Sequence, residues 1–186
     1  MKKNLVNLLL LVIIAVFVGS CKDDEAPPGS FTIDGTKHTL TKGYAEYQWS
    51  YVEGEDTYYN WVAALSSSGI SYNETDEEFS GIGDVILFFL AIPNNDSEEL
   101  PTGTYTFPSD SGDPYIDDIW VALSLDADSE DEPDFAVNPE DLTEGEVTIT
   151  KSGSTYTITF SLDFDGEVVS GTYKGTIKPV AFNFDL

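Results

Sequence analysis

A strict two-residue alternation between Tyr156 and Phe164 constrains this chain more than any other feature. Tyr156, Ile158, Phe160, Leu162 and Phe164 are apolar, and Thr157, Thr159, Ser161 and Asp163 between them are polar. Successive side chains point to opposite faces only in an extended chain, so this stretch is predicted as a strand with one buried and one wet face. Val147 and Ile149 precede it, across a turn at Lys151-Ser152-Gly153-Ser154. Asp165-Gly166 follows it, and glycine supplies the positive φ that a tight hairpin turn needs. Val169, Gly171, Tyr173, Gly175 and Ile177 then fall on one face of a third strand. Residues 145–178 therefore read as a three-stranded meander.

The same grammar recurs upstream. A two-residue turn at Asp34-Gly35 would pair Ile33 with Thr36, Phe31 with His38 and Gly29 with Leu40. Further strands are expected near 44–52, 58–66, 84–92, 104–107 and 118–125, and no stretch after residue 29 sustains a 3.6-residue apolar period. The expected fold is all-β, an antiparallel β-sandwich of about ten strands, with a lipocalin-like closed β-barrel as the alternative. Val85 to Ile92 is apolar at every position, so both of its faces should be buried, the second under a loop or another chain. Long acidic loops are expected at 53–57, 73–80, 93–100, 108–117 and 126–144.

Charge narrows the function. The chain holds 34 Asp and Glu against 8 basic residues, a formal charge of −26, and every basic residue is lysine. Nucleic-acid binding is excluded as an expectation, because phosphate recognition relies on clustered Lys and Arg. The single cysteine rules out a disulfide framework and a cysteine-based zinc site.

That cysteine stands at an informative place. Lys2 and Lys3 precede an unbroken apolar run from Leu8 to Val18, too short to span a bilayer as a helix but matched to a signal peptide. Val18-Gly19-Ser20-Cys21 closes the run. These residues resemble the lipobox of bacterial lipoproteins, in which a peptidase cuts before the cysteine and acyl chains are attached to it. Lys22-Asp23-Asp24-Glu25 is similar to the short acidic export signal of surface lipoproteins in Bacteroidota. Phe31-Thr32-Ile33-Asp34-Gly35, Leu100-Pro101-Thr102-Gly103-Thr104-Tyr105 and the run from Gly166 through Gly175-Thr176-Ile177 resemble β-domains of small lipoproteins in that group. The resemblance implies a leader at 1–20, an acylated Cys21 with an acidic, proline-containing tether at 21–29, and one all-β domain at 30–182. Several acyl chains on Cys21 would hold the protein stably on a bacterial outer membrane without a spanning segment.

Candidate chemistry within the domain is sparse. Asp126, Asp128 and Glu130 place carboxylates at alternate positions, as a calcium loop begins, but an EF-hand would then need Gly at 131 and Glu at 137, where Asp131 and Val137 stand. His38 is the one histidine, so a multi-histidine metal site cannot form, and the pairing above puts it on the face of Phe31, Ile33 and Leu40. Trp49 shares its expected face with Tyr47 and Tyr51, and Trp61 shares one with Tyr59 and Leu65; both groups read as core. Trp120 lies opposite Ile119, Val121 and Leu123 and is the aromatic best placed to face a ligand.

No cofactor is expected. The chain reads as a membrane-anchored, non-catalytic binding module with a glycan or protein partner. The alternatives are a barrel holding a small apolar ligand and a carboxylate-dependent hydrolase. Replacing Cys21 by Ala is expected to move the protein out of the outer-membrane fraction on cell fractionation. A Cys21→Ala protein that still sediments with that membrane refutes the lipid anchor.

Overall fold

The computed structural model describes residues 28–109, 112–129 and 135–182, so Cys21, Glu130 and the leader lie outside the described part. The chain is all-β. Its strands are β1 (Gly29–Ile33), β2 (Thr36–Leu40), β3 (Lys42–Glu53), β4 (Asp56–Ser66), β5 (Ser71–Asn73), β6 (Glu78–Ser80), β7 (Ile82–Pro93), β8 (Gly103–Phe107), β9 (Tyr115–Asp126), β10 (Leu142–Ser152), β11 (Thr155–Phe164), β12 (Glu167–Gly175) and β13 (Ile177–Pro179). Eleven of them form one sheet in the order β13-β3-β4-β7-β9-β8-β10-β11-β12-β1-β2, and β5-β6 pair separately. The sheet is antiparallel except where β13 meets β3 and β8 meets β9. It curls into a half-barrel, so the facing layers of a sandwich are here two arms of one bent sheet.

Turn chemistry set the registers that the sequence implied. Ile33 pairs Thr36, Phe31 pairs His38 and Gly29 pairs Leu40 across Asp34-Gly35. Phe164 pairs Glu167 across Asp165-Gly166, and Ser152 pairs Thr155, which completes the β10-β11-β12 meander. Asp34 (φ 49°) and Asp165 (φ 51°) occupy the left-handed region beside their glycines, as a tight hairpin turn requires. The N-terminal strand β1 lies beside β12, with Phe31 opposite Gly171.

The inner face holds the main core. Trp61, Ala63 and Leu65 of β4 meet Ile86, Phe88, Leu90 and Ile92 of β7, Ile119 and Val121 of β9, and Ile158, Phe160 and Leu162 of β11. Phe88 and Phe160 touch edge to face at 5.2 Å, joining the two arms. Gly171 makes room for this packing. It pairs Phe31 on one side and Phe160 on the other, and a Cβ there would lie 2.6 Å from the tip of the Phe160 ring and 2.6 Å from the Ser30 carbonyl oxygen.

The run Val85 to Ile92 is covered on both faces, by this same chain. Val85 and Leu87 point outward with Tyr44, Val62 and Ala64 into a second cluster, which includes Ile70 and Phe182. The β5-β6 hairpin and residues 180–182 form that cover. Phe79 stacks on Phe182 at 5.4 Å and meets Tyr44 edge-on at 5.1 Å. The Ala181 N–H donates to the Tyr72 hydroxyl at 3.1 Å, and the Phe182 N–H donates to Glu46 Oε2 at 2.6 Å. The 73–80 segment, expected as a loop, thus contains half of a packed hairpin.

Two contacts close the curl. The Thr41 N–H donates to the Ser66 carbonyl at 2.7 Å. His38 is half-buried and stacks on Phe31 at 4.9 Å, while its Nδ1 lies 3.0 Å from Asp84 Oδ2. Asp84 Oδ1 accepts the Ser124 N–H at 3.1 Å, at an irregularity in the β7-β9 ladder. The histidine therefore ties the edge hairpin to β7.

Gly171→Ala is expected to destabilise the domain by about 1–3 kcal/mol in urea unfolding, the usual cost of overpacking where backbone cannot retreat. Val168→Ala, on the same strand but 49% exposed, is expected to change stability by no more than about 0.5 kcal/mol.

Candidate functional site

The outer cover stops partway along the sheet. Beyond it, β3, β4 and β9 present Trp49, Tyr51, Tyr58, Asn60 and Tyr115 on one outward face. The ladder fixes this arrangement: Trp49 stands opposite Asn60, Asn60 opposite Ala91, and Ala91 opposite Tyr115. Tyr51 stands opposite Tyr58, and their rings stack at 5.3 Å with 15° between planes. Tyr58 meets Tyr115 edge-on at 5.7 Å.

A bulge creates the exposed part of this face. Tyr47 pairs Trp61, yet Trp49 pairs Asn60, so Gln48 is an extra residue on β3. One added residue reverses the parity of everything after it. Tyr47 faces inward beside Trp61 (6.0 Å) and Tyr59 (6.2 Å), whereas Trp49 and Tyr51 face outward. The expectation that Tyr47, Trp49 and Tyr51 share one core face is therefore corrected: Tyr47 is 42% and Trp49 52% exposed. Nothing in the alternation marks this bulge, because the polar and aromatic residues keep their phase through Gln48. Trp61 and Leu65 are buried as expected, and Tyr59 on their face is half-buried.

A second bulge borders the face on β9. Phe89 pairs Asp118 and Leu90 pairs Ile116, which leaves Asp117 extra. β9 begins at Tyr115, so this tyrosine, expected within an acidic loop, lies in the sheet. The hydroxyls of Tyr51 and Tyr115 hydrogen-bond to each other, and the Gly112 N–H donates to the Tyr58 hydroxyl at 3.2 Å. Burial pushes the Tyr115 phenol above its ordinary range, and the Tyr51 hydrogen bond and the charges of Asp117 and Glu53 push it further. Asp117 is exposed by surface area but crowded by protein; that desolvation, with the neighbouring Asp118 carboxylate, raises its carboxyl pKa. Asn60 is buried, and its amide donates to the Trp49 carbonyl at 3.4 Å. The result is an outward face on which Trp49 is exposed, Tyr51 and Tyr115 are half-buried over Tyr58, and acidic groups stand at the edge.

The residues singled out in the sequence fall elsewhere. Trp120 is outward-facing as its parity required, but half-buried between Phe89 (5.0 Å) and Phe135 (5.3 Å). Its Nε1–H donates to Asp118 Oδ2 at 2.7 Å, so it belongs to the packing of the outer cover. Asp126 and Asp128 hold a turn: Asp126 Oδ1 accepts the Asp128 N–H at 3.1 Å, and Asp128 Oδ2 accepts the Gly81 N–H at 3.0 Å. Glu130 and Cys21 lie outside the described residues. Among the described residues, no three His, Cys, Asp or Glu side chains gather as a metal-binding group.

Comparison with known protein families, with curated proteins and with solved structures gives no match to this chain.

The linked hydroxyls give a spectroscopic prediction. Of the 10 tyrosines, Tyr115 is expected to ionise well after the exposed ones in an ultraviolet titration of the native protein. A raised folded-state value means that the stability it contributes is whole below the ordinary tyrosine range, near pH ~10, and is lost as pH climbs through the folded value. Tyr115→Phe should remove one late-titrating phenol and flatten the alkaline loss of stability.

Proposed function

We propose that this protein is a lipid-anchored binding module of the bacterial outer membrane that takes neutral glycans on its outer aromatic face. The observation that carries the reading is Trp49. Trp49, 52% exposed, stands on the same outward face as the half-buried Tyr51 and Tyr115, and a contiguous exposed aromatic patch marks an interaction site. Sugar rings present flat C–H faces to an indole, and their hydroxyls need donors and acceptors around it. Tyr51, Glu53 and Asp117 supply these near Trp49 and Tyr115. The formal charge of −26 repels acidic polysaccharides, so the preferred glycan is uncharged.

The geometry suits a tether. The described chain begins at Pro28, whose carbonyl accepts the Lys174 N–H at 2.8 Å. Gly43 of β3 lies against Tyr173 at that same end. Trp49 is six residues further along β3, roughly 20 Å at the rise of an extended strand. Pro28, beside Lys174, and Trp49 thus lie toward different ends of β3 and its neighbours.

Native affinity electrophoresis through gels containing soluble β-glucan, xylan or mannan tests the reading. At least one of these is expected to retard the protein. Trp49→Ala should weaken the interaction roughly tenfold, equivalent to about 1.4 kcal/mol, with an unchanged melting temperature. Free migration of the native protein in all three gels, or equal retardation of Trp49→Ala, refutes it.

A further inference from the structure

We infer that the free edge of β3 is a strand-addition site for another protein, and that the segment it takes is extended, apolar in its middle and basic at its ends. β3 runs from Lys42 to Glu53, but its neighbour on this side, β13, pairs only with Gly43, Tyr44 and Ala45. The Val180 N–H reaches the Ala45 carbonyl at 3.1 Å, and the Phe182 N–H then turns to the Glu46 side chain. Among the described residues, no strand lies on that side of 46–53. This leaves about 25 Å of open sheet edge, at the rise of an extended chain. The hairpin register decides which backbone groups face outward. Glu53 and Asp56 close a two-residue turn at Gly54-Glu55 and exchange bonds, so alternation turns Ser50 and Val52 the other way. Thr57, the partner of Val52, has the matching sense: its N–H and carbonyl bond to Asn94, on the far side of β4. The N–H and C=O groups of Ser50 and Val52 therefore point away from β4, toward the open edge.

The side chains along this edge suit an apolar strand. Tyr47, Trp49 and Val52 are three of the six large hydrophobics exposed among the described residues, and Val52 is 72% exposed. Parity across the Gln48 bulge puts Tyr47 and Val52 on the inner face and Trp49 and Tyr51 on the outer. An added strand thus gains apolar neighbours on both of its faces. A long, exposed apolar edge is a template for pairing, and proteins usually blunt such edges. The opposite edge, β2, is blunted: it is five residues long, carries Lys37 and is tied to β7 through His38. On β3 the acids choose the partner. Glu46 stands at one end of the open stretch and Glu53, Glu55 and Asp56 at the other, with no lysine from 43 to 56. A second copy, paired antiparallel with its Val52 opposite Tyr47, would set Glu53 opposite Glu46, and like charges directly opposite destabilise a ladder. A strand with basic ends meets attraction at both. Main-chain bonds supply the affinity in this mode, and the flanking side chains supply the selectivity. The pairing runs through the backbone edge and not across the outer aromatic face, so this inference does not rest on glycan binding.

The probe is the peptide acetyl-Lys-Lys-Val-Thr-Val-Tyr-Val-Lys-Lys-amide with a fluorophore on one end lysine, read by anisotropy against the purified protein. Saturable binding is expected. Ser50→Pro and Val52→Pro each remove an N–H that faces the open edge and leave the β4 ladder whole. Each should weaken binding roughly tenfold, about 1.4 kcal/mol, with little change in melting temperature. The same peptide N-methylated at its five central amides cannot pair and should not bind. That comparison leaves the protein unaltered, so it decides the matter even if a proline variant folds poorly. Replacing the peptide's lysines by glutamates should weaken binding roughly tenfold at low salt, with the difference shrinking as salt screens the ends. No saturable binding, equal binding of the N-methylated peptide, or folded proline variants that bind like the native protein overturn the inference. A dimer in sedimentation that Val52→Pro dissociates also overturns it, by giving the edge to a second copy. Binding that appears only after removal of residues 183–186 overturns it too, by giving the edge to the chain's own end. Val52→Pro should keep whatever retardation the glycan gels give the native protein, so the two readings fail separately.

Discussion

The β4-β7 pair is apolar on both of its faces, and the rest of the molecule is arranged to keep both out of water. Trp61, Ala63, Leu65, Ile86, Phe88 and Leu90 face inward, while Val62, Ala64, Val85 and Leu87 face outward. A buried residue such as Leu87 contributes about 1.5–3 kcal/mol relative to an exposed one. A whole domain is stable by only about 5–15 kcal/mol. Several such residues left bare would consume that margin, so covering the outer face is as necessary as forming the core. The curl of the sheet covers one side with the β10-β12 arm. The β5-β6 hairpin and residues 180–182 cover the other, fastened by Tyr72, Phe79 and Phe182.

Where the outer cover ends, the sheet changes character. Two extra residues, Gln48 on β3 and Asp117 on β9, flank the open region. Bulges re-aim side chains and sharpen twist, and they recur beside binding sites for that reason. Here the first turns Trp49 and Tyr51 to the outside, and the second places an acidic residue next to Tyr115. The inner and outer faces of β3 thereby acquire separate aromatic groups: Tyr47 with Trp61 on one side, Trp49 with Tyr58 and Tyr115 on the other.

Much of this fold was legible because turns carry register. Asp34-Gly35 and Asp165-Gly166 fix their hairpins residue by residue, and the unbroken apolar run at 85–92 announces a strand without a wet face. The β5-β6 hairpin was not legible. Its strands are three residues each, with Ser71, Asn73 and Glu78 exposed, and it is held by the docking of Tyr72 and Phe79 on Tyr44 and on residues 181–182. Local preference is overridden there by tertiary contact. Most of the candidate site was hidden for a related reason. A bulge leaves no trace in period-two reading, so Trp49 was assigned inward, and Tyr115 sat in a segment whose acidity suggested a loop.

The pairing of β1 with β12 has a kinetic side. Phe31 has no ladder partner on its second edge until Gly171 arrives from the opposite region of the chain. Contacts between residues so distant in sequence form late and slowly, since the intervening loop must be ordered first. The first hairpin therefore gains its second ladder only once residues 170–173 are in place, which ties the closing of this edge of the sheet to nearly the whole described domain.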